Sequence, residues 1–309
     1  MGLIFLFLTN LSGATKAVCM KKCGKLLPGK ENSVRINFFR TLICIFVSLI
    51  IFLVSGSKVS WEKSYIWILS GISNAGLLFF WLLCSERASL LQVETFGLIG
   101  SMVFPLFFAP LLYEGESVGI MQWCGMSCLL IAVVVLSRGK ENNKETSDHG
   151  KKAGVDTVFF LIFLVLSNAG VSITQKLFAT RIGVEFLPHF NLMTFSVVLI
   201  CYGSIMIFEK IHTKRVVSSE NDENVKPWIR PMIYIAIAAL AIYAYQYFGA
   251  IASGELSSAL YYPLVSGISI SLTTLSDIFI FKQKFTRYTL ISLIFVIAAI
   301  VMINIVLGE

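Results

Sequence analysis

The chain has 309 residues, of which 56% are hydrophobic and 14% charged, and its formal net charge is +7 at neutral pH. A soluble domain of this length would carry roughly a quarter charged residues, so the composition excludes an ordinary soluble globular protein. The basic residues lie in short stretches between apolar runs rather than in one patch, which argues against nucleic-acid binding. The composition therefore predicts an all-α, multi-pass protein of the cell membrane, with the lipid bilayer as its surroundings.

Apolar segments of about 20 residues, the length that crosses a bilayer, recur ten times along the chain. Five are predicted in the first half, at approximately 2–20, 36–55, 64–84, 88–112 and 118–137. Five more are predicted at approximately 155–178, 188–208, 230–252, 257–281 and 287–307. The positive charges of the first segment follow its apolar run instead of preceding it, so we interpret this segment as a retained helix rather than a signal peptide.

A polar stretch, predicted as a linker over residues 138–153, separates the two sets of segments. Arg138–Lys152 is the only long run that is charged and free of large apolar residues, and such a run buries too little surface to order itself. The halves on either side, 1–137 and 154–309, also begin alike, since Phe5–Asn10 reads FLFLTN and Phe163–Asn168 reads FLVLSN. These features predict two copies of one membrane unit.

Lys and Arg are distributed unevenly between the ends of these segments. Nineteen of them lie in the stretches that follow segments 1, 3, 5, 7 and 9, whereas the opposite stretches hold only Lys58, Lys63 and Arg181. Because cytoplasmic loops are enriched in Lys and Arg, we predict a cytoplasmic linker and extracytoplasmic termini. With five helices in each half, the second copy enters the membrane in the opposite sense, which predicts the inverted repeats common among secondary transporters.

The ninth segment carries the most informative motif. It reads YPLVSG at Tyr262–Gly267 and is followed by FKQKFT at Phe281–Thr286. These stretches resemble the last two helices of proteins in the drug/metabolite transporter superfamily. Glu116, Gln122 and Gly125 resemble the Glu…Gln-x-x-Gly that opens the fifth helix of an EamA-type repeat. The resemblance covers essentially the whole chain and implies an EamA-type permease with ten helices, distantly similar to the small multidrug-resistance proteins.

The chain departs from the small multidrug-resistance proteins where those proteins carry a membrane-embedded Glu in their first helix. Aligned from Lys176, that position falls on Asn168, and its repeat mate is Asn10. Neither side chain titrates, and Val265 stands where the small-protein signature has Trp. Antiport of cationic drugs by the small-protein mechanism is therefore not expected.

Polar residues inside the apolar segments are the candidates for a substrate site. They are Asn10, Asn74, Glu94, Asn168, Tyr243, Gln246 and Tyr262. Glu94 lies about six residues, roughly 9 Å, inside its segment, where an ionisable group faces either a cavity or a partner such as Arg40 or Lys16. Asn10 and Asn168 occupy equivalent positions, and each either coordinates a polar substrate or hydrogen-bonds between helices. The cationic side chains within the segments are long enough to reach a membrane interface, namely those of Lys16, Arg40 and Lys176.

These observations favour a secondary-active or exchange transporter of a small organic metabolite, working by alternating access. The alternative is a proton-coupled exporter of drugs or amino acids that uses Glu94. The chain lacks a Gly-x-x-x-x-Gly-Lys-[Ser/Thr] nucleotide loop, and no cofactor is expected. Cys124 and Cys128 share a helix face but have no His or carboxylate near them in sequence, so no metal site is predicted. The missing catalytic cluster and the internal duplication disfavour an enzyme or a receptor.

Overall fold

The protein folds as a helical bundle in a computed structural model. The structure describes residues 1–59, 61–87, 90–112, 119–138, 155–213, 229–282 and 286–305. Within these ranges the chain is all-helical, as predicted, with one 3-10 turn at Val184–Phe186. The predicted linker lies outside the described residues, apart from the backbone of Arg138. The ten helices are α1 (Gly2–Leu26), α2 (Lys30–Ser55), α3 (Tyr65–Arg87), α4 (Leu90–Leu112), α5 (Ile120–Arg138), α6 (Val155–Arg181), α7 (Leu187–Thr213), α8 (Ile229–Glu255), α9 (Ser258–Phe279) and α10 (Arg287–Ile305).

Each predicted segment coincides with one helix, but some helices continue beyond the apolar run. The first helix extends to Leu26, past the predicted end at residue 20, and the second begins at Lys30 rather than near residue 36. Lys is a good helix former, and its long apolar stem lets it continue a helix while its ammonium reaches polar surroundings. The two helices are separated by the turn at Pro28 and Gly29, where Gly29 has a φ of +109°, and not by the end of an apolar run.

Six helical stretches in the described part of the chain are long and apolar enough to cross a membrane. They are Gly2–Leu26, Asn32–Ser55, Tyr65–Ser85, Phe159–Arg181, Val184–Phe208 and Ile229–Glu255. Three shorter apolar stretches lie on α4, α5 and α10, at Phe96–Leu112, Trp123–Ala132 and Arg287–Ala299. A multi-pass membrane protein is therefore confirmed.

The ninth helix is rich in hydroxyl side chains, since seven of its 22 residues are Ser or Thr. Most of these hydroxyl side chains are buried, among them Ser266, Thr273 and Thr274. Thr273 donates a hydrogen bond to the carbonyl of Ser269 at 2.8 Å. A helix that is enclosed by protein does not need apolar side chains all round, so its interior face is free to carry polar groups.

The helices of the two halves interleave instead of forming two separate bundles. The first helix packs mainly on α8, and α6 packs mainly on α3. Further contacts join α4 to α6, α1 to α9, α3 to α7 and α2 to α8. Three further contacts join helices that hold the same place in the order of each half. They are α2 with α7, α4 with α9 and α5 with α10. The core therefore belongs to both halves at once.

Glycines allow the close approach of α3 and α6. A Cβ atom on Gly76 would lie 2.6 Å from Oγ of Ser167, and one on Gly170 would collide with Oγ of Ser73. Each helix thus offers a glycine to a serine of its neighbour. Small residues at such contacts let membrane helices gain van der Waals packing that lipid contacts would not provide.

Lys63 and Arg181 belong to the loops that hold few basic residues, and they lie together at one end of the bundle. Nζ of Lys63 donates a hydrogen bond to the carbonyl of Arg181 at 3.3 Å. The loop after α2 also meets the turn after α6, where Oγ of Ser57 donates to the carbonyl of Glu185 at 3.0 Å. This common end is the one that the charge count assigns to the extracytoplasmic side.

The topology is testable in a variant from which the seven cysteines have been removed. A Cys introduced at Ser147, in the linker, should resist an impermeant thiol reagent added to intact cells, because the linker is predicted to be cytoplasmic. A matched Cys at Val59, which is 49% exposed in the loop after α2, should be labelled. Labelling is measured by gel shift. Fast labelling of Ser147→Cys together with slow labelling of Val59→Cys would contradict the predicted topology.

Candidate functional site

Three amide side chains on different helices form the centre of the candidate site, and we call Asn74, Gln175 and Gln246 the central seam. All three are at least nine-tenths buried. Nε2 of Gln246 donates to Oδ1 of Asn74, and Nε2 of Gln175 donates to the carbonyl of Gln246 at 2.9 Å. The central seam joins α3, α6 and α8. Its hydrogen bonds take the place of the bonds to water that these buried amides cannot make.

Four helices converge one turn further along α8, at Gly249. A Cβ atom there would lie 2.9 Å from Nε2 of Gln175 and 3.2 Å from Oη of Tyr261. It would also lie 3.4 Å from Cγ2 of Thr9. The glycine therefore brings side chains of α1, α6 and α9 against the backbone of α8, and it places a second layer of polar atoms beside the central seam.

Asn10 and Asn168 lie on the first helix of each half and make corresponding contacts. Asn10 donates to the carbonyl of Leu6 at 2.9 Å and accepts a hydrogen bond from Oγ of Ser269 at 2.9 Å, which joins α1 to α9. Nδ2 of Asn168 donates to the carbonyl of Gly97 at 2.7 Å, which joins α6 to α4. Both asparagines thus form hydrogen bonds between helices, which is one of the two roles that the sequence suggested for them.

The two candidate tyrosines have different surroundings. Oη of Tyr262 donates to the carbonyl of Ser172 at 3.2 Å and so joins α9 to α6. Tyr243 is buried against Phe195 and Tyr247, and its hydroxyl faces the side-chain amide of Asn191 on α7. The structure brings Asn74 and Gln246 into direct contact, whereas Asn10, Asn168, Tyr243 and Tyr262 occupy separate helix interfaces.

Two of the cations expected at an interface lie inside the protein, so that expectation is wrong for them. Arg40 is 1% exposed, with Nη1 donating to Sδ of Met20 at 3.0 Å and Nη2 to Oδ1 of Asn37. Lys176 is 2% exposed, and its ammonium donates to the carbonyl of Ser253 in the last turn of α8 and to that of Leu256 just after the helix, both at 2.7 Å. Helix C-termini offer unpaired carbonyls and a negative dipole end, which favour a cation.

A small cavity, with room for about one water molecule, lies between α1, α2 and α3. It is lined by Lys16, Met20, Arg40, Leu77, Leu78 and Trp81. The ammonium of Lys16 lies 4.6 Å from the ring centre of Tyr245 on α8. Sequence reasoning missed this cavity, although the two charges within apolar segments were its signal.

Residues 1–138 match the model of the EamA-like transporter family. The match covers the first of the two halves. The resemblance to the drug/metabolite transporter superfamily, of which this family is a part, is thereby confirmed. No curated protein matches the chain. A solved structure titled only as the crystal structure of a protein superposes with a TM-score of 0.66 and 16% identity, covering 99% of this chain and 96% of its own. At that identity it shows a shared fold over both halves.

The EamA-like match includes three of the candidate residues, Asn10, Asn74 and Glu94, together with both cations of the cavity. The side chain of Glu94, on α4, lies outside the described residues, as do the side chains of Glu116 and Gln122. The role of Glu94 therefore stays a prediction, and the described part of the site consists of amides, hydroxyls and the two cavity cations.

The contact between Asn74 and Gln246 is testable by a double-mutant cycle. Gln246→Leu leaves a buried carbonyl oxygen of Asn74 without its donor, which should lower the free energy of unfolding by about 1–3 kcal/mol. Adding Asn74→Leu should recover part of this loss, because two apolar side chains leave no unmet hydrogen bond. Unfolding of the purified protein in mixed micelles measures both effects, with Ser204→Ala, on an exposed face of α7, as a neutral control. Strictly additive losses would show that the two amides are not coupled.

Proposed function

We propose that the chain is a secondary-active or exchange transporter that moves a small organic metabolite across the cell membrane by alternating access between two inverted five-helix repeats. The EamA-like match supports a membrane transporter. The observation that carries the mechanism is the pattern of helix contacts, which treats the two halves alike.

The contact pattern is preserved when every helix is exchanged with the helix five places away. This exchange converts the contact of α1 with α8 into that of α6 with α3, and the contact of α1 with α9 into that of α6 with α4. The pairs α2–α7, α4–α9 and α5–α10 are converted into themselves. Because five is odd, two such units in one membrane run in opposite senses, so the pattern supports an inverted repeat.

Individual hydrogen bonds follow the same exchange. Asn10 joins α1 to α9 through Ser269, and Asn168 joins α6 to α4 through Gly97. The central seam lies on α3, α6 and α8, and α3 and α8 are exchange partners. In transporters with inverted repeats the substrate site lies near the midplane, between the copies. The polar contacts between the halves therefore support a substrate site formed by Asn10, Asn74, Asn168, Gln246 and Tyr262.

All ten helices cross the bilayer in this proposal. The three shorter apolar stretches extend into helices of 19 to 23 residues, and α9 crosses with its hydroxyl face turned to the protein interior. A helix of 20 residues is about 30 Å long, which matches the hydrocarbon core. The charge count then places both termini outside the cell.

The hydrogen bonds between the helices are weak enough to be exchanged during a transport cycle. Each intramolecular hydrogen bond contributes only about 0.5–1.5 kcal/mol net, since the groups can bond to water or substrate instead. A polar substrate that replaces a few of them supplies a compensating interaction. Movement of one set of helices against the other then opens the site to one side at a time.

Transport is testable with the full-length protein in liposomes and a panel of radiolabelled small metabolites. We expect saturable uptake of at least one metabolite, accelerated when the same unlabelled metabolite is loaded inside, because exchange carriers return faster when occupied. Asn168→Ala should raise the half-saturation concentration, whereas Ser204→Ala should not. The absence of saturable, exchange-stimulated uptake of any metabolite would contradict the proposal.

A pH gradient in the same assay separates the two transport mechanisms. If Glu94 carries protons, uptake should depend on the gradient, and Glu94→Gln should remove that dependence while leaving exchange intact. Uptake that is indifferent to the gradient in both proteins favours simple exchange.

A further inference from the structure

We propose that the C-terminal end of α1 forms a binding site for the headgroup of an anionic phospholipid. Lys22 and Lys25 are its principal ligands, and the aromatic rings of Tyr234 and Phe281 hold them in place. The lipid belongs to the cytoplasmic leaflet, which is the side that the charge count assigns to this end of the bundle. The site is separate from the central seam and does not depend on the proposed transport activity.

The first helix carries these lysines just beyond the part that crosses the hydrocarbon. Its apolar run ends near residue 20, and the helix continues to Leu26. At 1.5 Å per residue, Lys22 and Lys25 lie roughly 3 and 8 Å past that run, at the depth of the lipid headgroups. Lys22 is half-buried and Lys25 is exposed, so a headgroup can reach both side chains.

Aromatic rings of two other elements hold these lysines. Nζ of Lys22 lies 5.6 Å from the ring centre of Tyr234 on α8, and Nζ of Lys25 lies 5.3 Å from that of Phe281, just after α9. Lys21, which is buried, lies over the same Phe281 ring at 4.3 Å. A ring face attracts a cation within about 6 Å. The contacts therefore restrict long, flexible side chains before a ligand arrives, which lowers the cost of ordering them on binding.

Stabilisation of the helix terminus does not explain this arrangement. A cation in the last turn interacts favourably with the helix dipole, but only Lys25 lies in the last turn of α1. Lys21 is four residues from Lys25 and Lys22 is three, and like charges at such spacings on a helix repel one another. The helix contains no acidic residue of its own to offset this repulsion. An anion bound beside the lysines reduces it.

The neighbouring connections leave an excess of positive charge whatever pairs form within them. Residues 21–35, at the junction of α1 and α2, contain five Lys or Arg and one acid. Residues 277–287, at the junction of α9 and α10, contain three Lys or Arg and one acid. Cations therefore exceed acids by six across the two junctions, and such clusters beside a membrane helix attract anionic lipids.

Exposed apolar side chains beside the lysines favour a lipid over a soluble anion. Phe279 is 75% exposed and Ile280 is 46% exposed, and both directly precede Phe281 in the chain. Leu26, next to Lys25, is 37% exposed. A phospholipid matches both features, because its phosphate meets the ammonium groups while its chains cover the apolar side chains. A free phosphate would leave those side chains uncovered.

The second half builds the corresponding helix end without lysines. When the halves are aligned on Asn10 and Asn168, the positions of the three lysines fall on Ala179, Thr180 and Gly183. That end of α6 lies at the opposite end of the bundle, because Lys176 reaches the carbonyl of Leu256, against which the start of α1 packs at Gly2. The lysines thus belong to one membrane face and are not required by the helix packing.

Binding is tested by native mass spectrometry of the delipidated full-length protein, titrated with phosphatidylserine or with phosphatidylcholine of the same acyl chains. The first phosphatidylserine should bind at least about fivefold tighter than the first phosphatidylcholine, since each nearby cation contributes roughly that factor. Glycerophosphoserine, the soluble headgroup without chains, should not displace it. Equal binding of the two lipids would overturn the proposal, and displacement by glycerophosphoserine would overturn the assignment to a lipid.

Matched double variants locate the site. Lys22→Gln combined with Lys25→Gln should reduce the preference for phosphatidylserine to less than about twofold. Lys58→Gln combined with Lys63→Gln removes the same charge from the other end of the bundle and should keep the preference of the parent protein. An equal loss in both double variants would show that net charge attracts the lipid, and full preference without Lys22 and Lys25 would place the lipid elsewhere. Either result contradicts the proposed site.

Discussion

The requirement that buried polar groups find partners inside the protein governs this structure. Lipid offers no hydrogen bonds, so each amide or cation within the helices needs an acceptor from another helix or a turn of its own. The bond between Gln246 and Asn74 meets this need across α8 and α3. Lys176 meets it at the end of α8, where two carbonyls accept its ammonium protons. These polar contacts determine which helices lie side by side, because apolar side chains pack equally well against lipid.

The same requirement draws attention to the residues that the described structure leaves unsatisfied. Nε of Arg40 has no acceptor among the described residues, and there the buried amide of Asn191 and the hydroxyl of Tyr243 have only each other. Arg40 lies beside a cavity, and the other two lie between α7 and α8. A protein that only needed stability would replace such groups with apolar ones, since unmet buried donors cost more than they contribute. Their retention is what a changing set of partners during transport would require.

The sequence predicted the helices well and the partners of their side chains poorly. Bilayer thickness fixes the length of an apolar run, so all ten segments could be placed, although α1 and α2 continue six residues past the predicted bounds. Asn74 and Gln246 could be selected as buried polar residues, but their contact joins residues 172 positions apart and needed the structure. Arg40 was expected at an interface because arginine stems usually extend there. The structure retains it inside because Asn37, one turn away, accepts a hydrogen bond from its guanidinium.

Alternating access is tested most directly by reaching one central position from both sides of the membrane. Ser269 is a suitable position, since it is 8% exposed and bonds to Asn10 between the halves. In a variant without native cysteines, Ser269→Cys should react with an impermeant anionic methanethiosulfonate in right-side-out and in inside-out vesicles. A Cys at Ser292, which is 2% exposed on α10, is the control and should react in neither. Protection of Ser269→Cys on both sides, or reaction from one side only, would contradict a site that opens alternately to each face.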